Sequence, residues 1–273
     1  MFTTISRLNP KVNMNDILTQ IVTNKRSEIA ELKKATKISE FEAATYFERK
    51  GKSLKARLTK APGIITEFKR KSPSEQDIHL DARVQTVVRG YEKAGAAGIS
   101  VLTDNTFFGG NLEDLESARQ VTDLPILRKD FVLDEIQIFQ AKAHGADVVL
   151  LIAEILEKEQ VQAFAQLASD INLEVLLEVH SEEQLEKLAD TVDMVGVNNR
   201  NLETFEVDVQ QSIALAKEIP NKFIKVSESG FDHPDQVMRV HNAGYQGFLI
   251  GSHFMRESSP SEAAKTFIEN LTT

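Results

Sequence analysis

Residues 146–178 read ADVVLLIAEILEKEQVQAFAQLASDINLEVLLE, and their reading decides the fold. The two ends, 146–152 and 174–178, are short apolar and β-branched runs of the length of a buried strand. Between them Val161, Phe164, Ala165 and Ala168 recur at i, i+3, i+4 and i+7, which is one face of an amphipathic helix. Strand, crossover helix, strand is the unit from which a parallel sheet is built.

The same unit repeats on both sides. Upstream lie strand-like runs at 64–68, 98–102 and 125–128, with Val84, Val87, Val88 and Tyr91 again at helical spacing; downstream lie runs at 193–197, 222–226 and 247–250. Three helices are expected to leave through a glycine before the next strand, at Ala94-Gly95-Ala96, His144-Gly145-Ala146 and Ala243-Gly244-Tyr245. About eight strands alternating with about eight helices fit a (β/α)8 TIM barrel of ~250 residues better than an open doubly wound sheet.

Ahead of the first strand, Ala61-Pro62-Gly63 is a break. Residues 14–60 are expected to form an N-terminal helical extension. Ile17, Leu18, Ile21, Val22, Ile29 and Leu32 make an amphipathic helix whose apolar face suits either the barrel or a partner, and the polar segment 34–55 is expected to be helical too. Residues 1–13 lack periodicity and are expected to be a flexible leader, with Met14 an alternative start. The barrel itself is assigned to 61–273, in a single domain overall.

Composition narrows the function classes. The 273 residues carry 32 Lys+Arg against 41 Asp+Glu, a formal charge of −9, which speaks against a general nucleic-acid binder. With 41% hydrophobic and 27% charged residues the chain is that of a folded globular domain. Cys is 0, so disulfides, thiolate metal sites and thiol nucleophiles drop out. No apolar run has the ~18 residues of a membrane span, and a soluble cytoplasmic protein is expected.

In a barrel of this kind chemistry gathers at the C-terminal strand ends, where the βα loops surround one mouth. Side chains alternate along a strand, so Ile65, Glu67 and Lys69 share a face, and turning it inward puts a carboxylate and an ammonium in that mouth. The other strand ends carry Lys129-Asp130, Glu178, Asn198-Asn199-Arg200, Ser227-Glu228-Ser229-Gly230 and Gly251-Ser252. One charge at a strand end is usually a solvated residue or a structural ion pair; charged or amide groups at most of the ends together point to a site. Ser229-Gly230 and Gly251-Ser252 place small residues at strands seven and eight, where barrels commonly bind phosphate through backbone N–H groups. Neither a G-x-G-x-x-G nor a P-loop motif is present.

These strings resemble the indole-3-glycerol-phosphate synthase family, from about Asp16 to about Leu271. The resemblance is carried by 65–74 (ITEFKRKSPS), Ser100-Val101-Leu102-Thr103-Asp104 with Phe107-Phe108, Leu127-Arg128-Lys129-Asp130-Phe131 and Leu177-Glu178-Val179-His180. It continues through 196–202 (GVNNRNL), Val226-Ser227-Glu228-Ser229-Gly230 and Leu249-Ile250-Gly251-Ser252. It implies a carboxy-lyase of tryptophan biosynthesis that cyclises 1-(2-carboxyphenylamino)-1-deoxyribulose 5-phosphate with loss of carbon dioxide and water, with no cofactor and no metal. It implies Lys129 as the general acid on the ketone oxygen, Glu178 as the base of the dehydration, Lys69 as a substrate-binding group and second acid, and Glu67 as the holder of the network. Asn198, Arg200 and Ser72 would position the anthranilate part and Phe108 would pack on its ring. Ser229, Gly230, Gly251 and Ser252 would hold the phosphate, near Glu228. A phosphorylated small molecule is the expected partner, with neither nucleic acid nor membrane, and a monomer is expected, compatible with channelling to or association with other enzymes of the pathway.

Lys129 read by itself also suits a Schiff base, but that needs a depressed pKa. Carboxylates at Glu67 and Glu178 sharing the mouth favour the ammonium, and so an acid. Two departures from the family pattern stand out: Glu75-Gln76 where Lys-Gly is frequent, and Glu154 where a small residue is frequent. His180 and His233 read as loop and capping residues, and Asp104 with Glu154 makes a weak metal pair. The rivals are a phosphoribosyl isomerase of the same fold, which does not need lysines on both the first and third strands, and an inactive barrel serving as a scaffold. The latter has no use for several costly charges converging in one mouth.

Overall fold

The computed structural model describes residues 14–200 and 207–271. The leader assigned to 1–13, and Asn201 and Leu202 of the sixth-strand motif, lie outside the described residues. The chain opens with α1 (Met14–Ala35), α2 (Ile38–Glu42) and α3 (Leu54–Lys60), then enters β1 (Gly63–Phe68), α4 (Val84–Lys93), β2 (Gly98–Leu102), α5 (Asn105–Phe108) and α6 (Leu112–Arg119). It continues through β3 (Ile126–Lys129), α7 (Glu135–Ala143), β4 (Val148–Ile152), α8 (Lys158–Asp170), β5 (Glu174–Val179) and a 3₁₀ turn over Glu183–Lys187. Last come β6 (Met194–Asn198), α9 (Gln210–Leu215), β7 (Ile224–Glu228), α10 (Pro234–Asn242), β8 (Gly247–Ile250), α11 (Ser252–Met255) and α12 (Pro260–Leu271).

The strands close in chain order, β1 to β8, and β8 pairs in parallel with β1 from Gly63 beside Gly247 to Thr66 beside Ile250. This is the expected (β/α)8 barrel. Alternation sorts the side chains: Ile64, Val149 and Leu151 join the layer between strands and helices, whereas Ile65, Leu127, Val148, Leu150, Leu176, Met194, Val226 and Leu249 fill the barrel interior. The expected glycine exits hold, with φ of 92° at Gly95, 89° at Gly145 and 107° at Gly244. Among the described residues no helix is long and apolar enough to cross a membrane.

The extension departs from expectation in its second half. Of 34–55, only the end of α1, the short α2 and the first turn of α3 are helical; the polar residues between anchor the chain to the barrel. Arg49 pairs with Asp147 at 2.5 Å and the Lys52 N–H donates to the same carboxylate at 2.7 Å, tethering the backbone where an amphipathic helix would need it free. The apolar face of α1 turns to the barrel, Ile29 packing with Phe41 and with Ile136 and Ala143 of α7. Leu54 and Leu58 of α3 belong to the interior cluster and plug the barrel floor. A Cβ on Gly98 would stand 2.8 Å from Leu54 and one on Gly247 3.0 Å from Leu58, so those strand starts are bare to admit the plug.

The seventh strand begins at Ile224, two residues later than the pattern suggested, because a turn in which the Phe223 N–H donates to the Pro220 carbonyl occupies the approach. Ser227 and Glu228 therefore belong to the strand itself.

Candidate active site

On six of the eight strands the inward row leads from the apolar interior to a polar or small residue at the strand end: Ile65 to Glu67, Leu127 to Lys129, Leu176 to Glu178, Met194 past Gly196 to Asn198, Val226 to Glu228, Leu249 to Gly251. The cavity above has a volume of about 360 Å³, and every residue to which the resemblance gave a site role lines it: Glu67, Lys69, Ser72, Phe108, Lys129, Glu178, Asn198, Arg200, Glu228, Ser229, Gly230, Gly251 and Ser252.

Lys129 is the hub. Its Nζ lies 2.7 Å from Glu178 Oε2 and 2.5 Å from Glu228 Oε2. Burial alone would lower the lysine pKa, but Glu178, Glu228 and Glu67 outweigh it and push the pKa well above the ordinary value. Glu178 is only 5% exposed; burial would raise its carboxyl, yet Lys129 and His180, with hydrogen bonds from Lys129 and from Asn198 Nδ2 (3.2 Å), draw it down to about 2. Glu228 goes the other way. It is 1% exposed, its Oε1 has no hydrogen-bond partner, and burial, with Glu178 adding to it and Lys129 opposing it, lifts the carboxyl to about 7.

Beside this cluster Lys69 Nζ reaches Glu67 Oε1 at 2.9 Å, and Ser100 Oγ donates to Glu67 Oε2 at 3.3 Å. Two glycines make room for these carboxylates: a Cβ on Gly196 would lie 2.3 Å from Glu228 Oε1, and one on Gly251 2.5 Å from Glu67 Oε1. Asn198 Oδ1 accepts from the Arg200 N–H at 3.1 Å, tying the start of the following loop to the strand end. Burial, then the neighbouring Arg256, lowers the Arg200 pKa. Phe108 pairs with Phe131 at 6.0 Å between centroids, giving the cavity an aromatic wall. Ser229 and Gly230 both have positive φ, 69° and 85°, and with Gly251 and Ser252 form a corner of small residues.

Glu228, next in sequence to Ser229, is turned inward with Val226 by the alternation along β7 and meets Lys129 as well, while Ser227 turns outward to Asn199. His180, read as a loop residue, does follow β5, yet its Nε2 comes within 3.4 Å of Glu178 Oε1. His233 is the N-cap residue of α10, as expected. Asp104 caps α5 and pairs with Lys25, whereas Glu154 accepts from Gln184, so each is engaged elsewhere. Glu75, the departure in the first loop, forms a two-pronged pair with Arg256 at 2.7 to 3.1 Å, which holds its carboxyl below the ordinary range.

Sequence reasoning missed Phe131, Arg256, Leu18 and Ile21 as cavity residues. Phe131 follows Lys129-Asp130 directly and was within reach; Arg256 lies beyond the strand-end positions, and nothing local marks the N-terminal helix as a wall. Lys25 was also missed. This α1 residue is 4% exposed and meets Asp104 at 3.1 Å and Asp130 at 3.0 Å, just behind Lys129.

A family model described as indole-3-glycerol phosphate synthase matches residues 18–267. Among similar proteins, the indole-3-glycerol phosphate synthase of Bacteroides thetaiotaomicron is 46% identical over 259 residues, covering 94% of this chain and 100% of the relative. That of Neisseria meningitidis is 42% identical over 262 residues, covering 93% and 100%, and that of Koribacter versatilis is 40% identical over 259 residues, with the same coverage. Of solved structures, thiamine phosphate pyrophosphorylase from Pyrococcus furiosus superposes with a TM-score of 0.59 at 18% identity, covering 81% of this chain and 100% of its own; this is a likeness of fold.

Proposed function

The chain belongs to the indole-3-glycerol phosphate synthase family, and from that membership we propose how its residues divide the work. The activity is that of an indole-3-glycerol phosphate synthase, a decarboxylating lyase of tryptophan biosynthesis. The observation that carries the residue assignment is the Lys129 ammonium held between Glu178 and Glu228 at the base of the cavity.

The substrate, 1-(2-carboxyphenylamino)-1-deoxyribulose 5-phosphate, lies with its phosphate in the corner of Ser229, Gly230, Gly251 and Ser252. Its anthranilate ring rests against Phe108, with Ser72, Asn198 and Arg200 around the carboxylate. As the ring carbon attacks the ketone, Lys129 gives its proton to the ketone oxygen, where charge develops and a fixed cation is worth most. Carbon dioxide then leaves. The transfer changes the neighbouring carboxylate too: a neutral Lys129 no longer depresses Glu178, which becomes a stronger base when the dehydration requires one. Lys69, steadied by Glu67, binds the substrate and supplies the second acid for the departing hydroxyl.

A Schiff base on Lys129 is disfavoured because the amine is held as ammonium by its carboxylate neighbours. The reading extends to a monomer in the cytoplasm; in its favour, the exposed large hydrophobics among the described residues are only Leu80, Val207 and Met238. Adding the substrate and following indole fluorescence, with borohydride in a parallel sample, tests the mechanism. Product forms and Lys129 gains no mass; a reduced adduct on Lys129 would replace the acid by an amine nucleophile.

A further inference from the structure

Asn199 stands in sequence between two residues of the site, Asn198 and Arg200, yet its side chain does not reach the cavity. It is 1% exposed and sits behind the wall. Its amide is fully engaged: Nδ2 donates to Ser227 Oγ and to the Ser229 carbonyl, both at 2.9 Å, and Oδ1 accepts from the Ser212 N–H at 3.1 Å and Ser212 Oγ at 2.7 Å. The Ser212 and Ser227 hydroxyls are 2.6 Å apart and the Tyr245 hydroxyl donates to the Ser212 carbonyl at 2.8 Å, so the amide is anchored in a closed buried network.

What this network grips is a strained turn. Among the described residues, Asn172 and Ser229 are the non-glycine residues with positive φ, and Ser229 at 69° is followed at once by Gly230 at 85°. A serine in that conformation is strained, since its Cβ crowds the following carbonyl, and a tether favours its staying there. The hold in reach is the Asn199 donor on the Ser229 carbonyl.

We propose that Asn199 is a positioning residue for the phosphate corner: from behind the wall it fixes the Ser229–Gly230 turn in its left-handed form, so that the turn meets a phosphate already shaped for it. This rests on the reading of Ser229, Gly230, Gly251 and Ser252 as the phosphate site. The contribution is preorganisation; it acts on binding of the phosphate and leaves the proton transfers at Lys129 and Glu178 untouched.

The test uses inorganic phosphate, titrated directly by phosphorus NMR and as a competitive inhibitor of indole formation, on the full chain and on Asn199→Ala, Asn199→Asp and Ser227→Ala. Asn199→Asp is nearly isosteric but replaces the donor with an oxygen that repels the Ser229 carbonyl, so it carries the test even where the alanine variant folds poorly. Both Asn199 variants should weaken phosphate binding about tenfold and raise KM to match, with kcat within about threefold. Ser227→Ala, which cuts the same network without touching Ser229, should lower Tm yet keep phosphate affinity within about twofold. Folded Asn199→Asp with wild-type phosphate affinity would overturn the proposal, and so would an equal loss in Ser227→Ala, because the effect would then be general loosening. A wild-type chain that makes product but is indifferent to phosphate would instead remove the phosphate corner itself.

Discussion

Glu178 and Glu228 share one ammonium, and the sharing is unequal. Lys129, with Asn198 and His180 beside it, keeps Glu178 ionised, whereas Glu228 is buried with one oxygen unpartnered and its carboxyl raised to about 7. A carboxyl raised from an ordinary 4.5 binds its proton more tightly in the folded state. Its stabilising contribution is therefore complete below about pH 4.5 and is lost as pH rises through about 7. Glu228→Gln should accordingly raise Tm by roughly a few degrees at pH 8 and leave it unchanged near pH 4, read by thermal melts across that range. The sequence placed Glu178 in one mouth with Lys129, but neither the Glu228 contact nor the unequal sharing was legible there. Strand alternation brought Glu67 and Lys69 to one face from local pattern alone, but which carboxylate meets Lys129 depends on the register of β3, β5 and β7 around the barrel, set by residues far apart in the chain.

At the scale of elements, a buried lysine helps to fasten α1 beside the site. Lys25 neutralises Asp104 and Asp130, and Asp130 is held well below the ordinary carboxylate range: burial works against it, but Arg128 and Lys25 prevail. Lys25→Ala leaves two buried carboxylates short of a cation and should cost about 3–5 kcal/mol in urea unfolding at pH 7. The depressed Asp130 contributes stability above the unfolded value of 3.8 that fades as pH falls, so the gap between variant and wild type should narrow below about pH 4. The α1 helix itself was plain from its spacing. Its docking was not, because Lys25 sits among Arg26, Glu28 and Glu31 and reads as part of a solvated face; its partners are about 80 and 105 residues away. Residues 34–55 misled for the opposite reason: Arg49 and Lys52 look like helix-surface residues but serve as tethers to Asp147.

Taken whole, the molecule is a barrel closed from below by its own leading segment and open above at the site. With Leu54 and Leu58 inside the barrel floor, the extension and the barrel should unfold together: far-ultraviolet circular dichroism and the tyrosine fluorescence of a Tyr46→Phe variant, whose remaining tyrosines, Tyr91 and Tyr245, are buried in the barrel, should give one coincident urea transition. An early loss of helix before the tyrosine signal would mean a separable extension. The formal charge of −9 is likewise a property of the whole surface; the cavity holds the cations Lys69, Lys129 and Arg200, through which, in the proposed function, it answers an anionic substrate locally. The chain contains no Trp, so indole emission in its solutions comes from product alone. The most direct measurement is therefore indole fluorescence after adding 1-(2-carboxyphenylamino)-1-deoxyribulose 5-phosphate to the wild type and to Lys129→Ala at matched circular dichroism. The wild type should make product and the variant should fall by at least ~10³-fold; a silent, well-folded wild type, or a variant close to it in rate, would contradict the role given to Lys129 and the chemistry built around it.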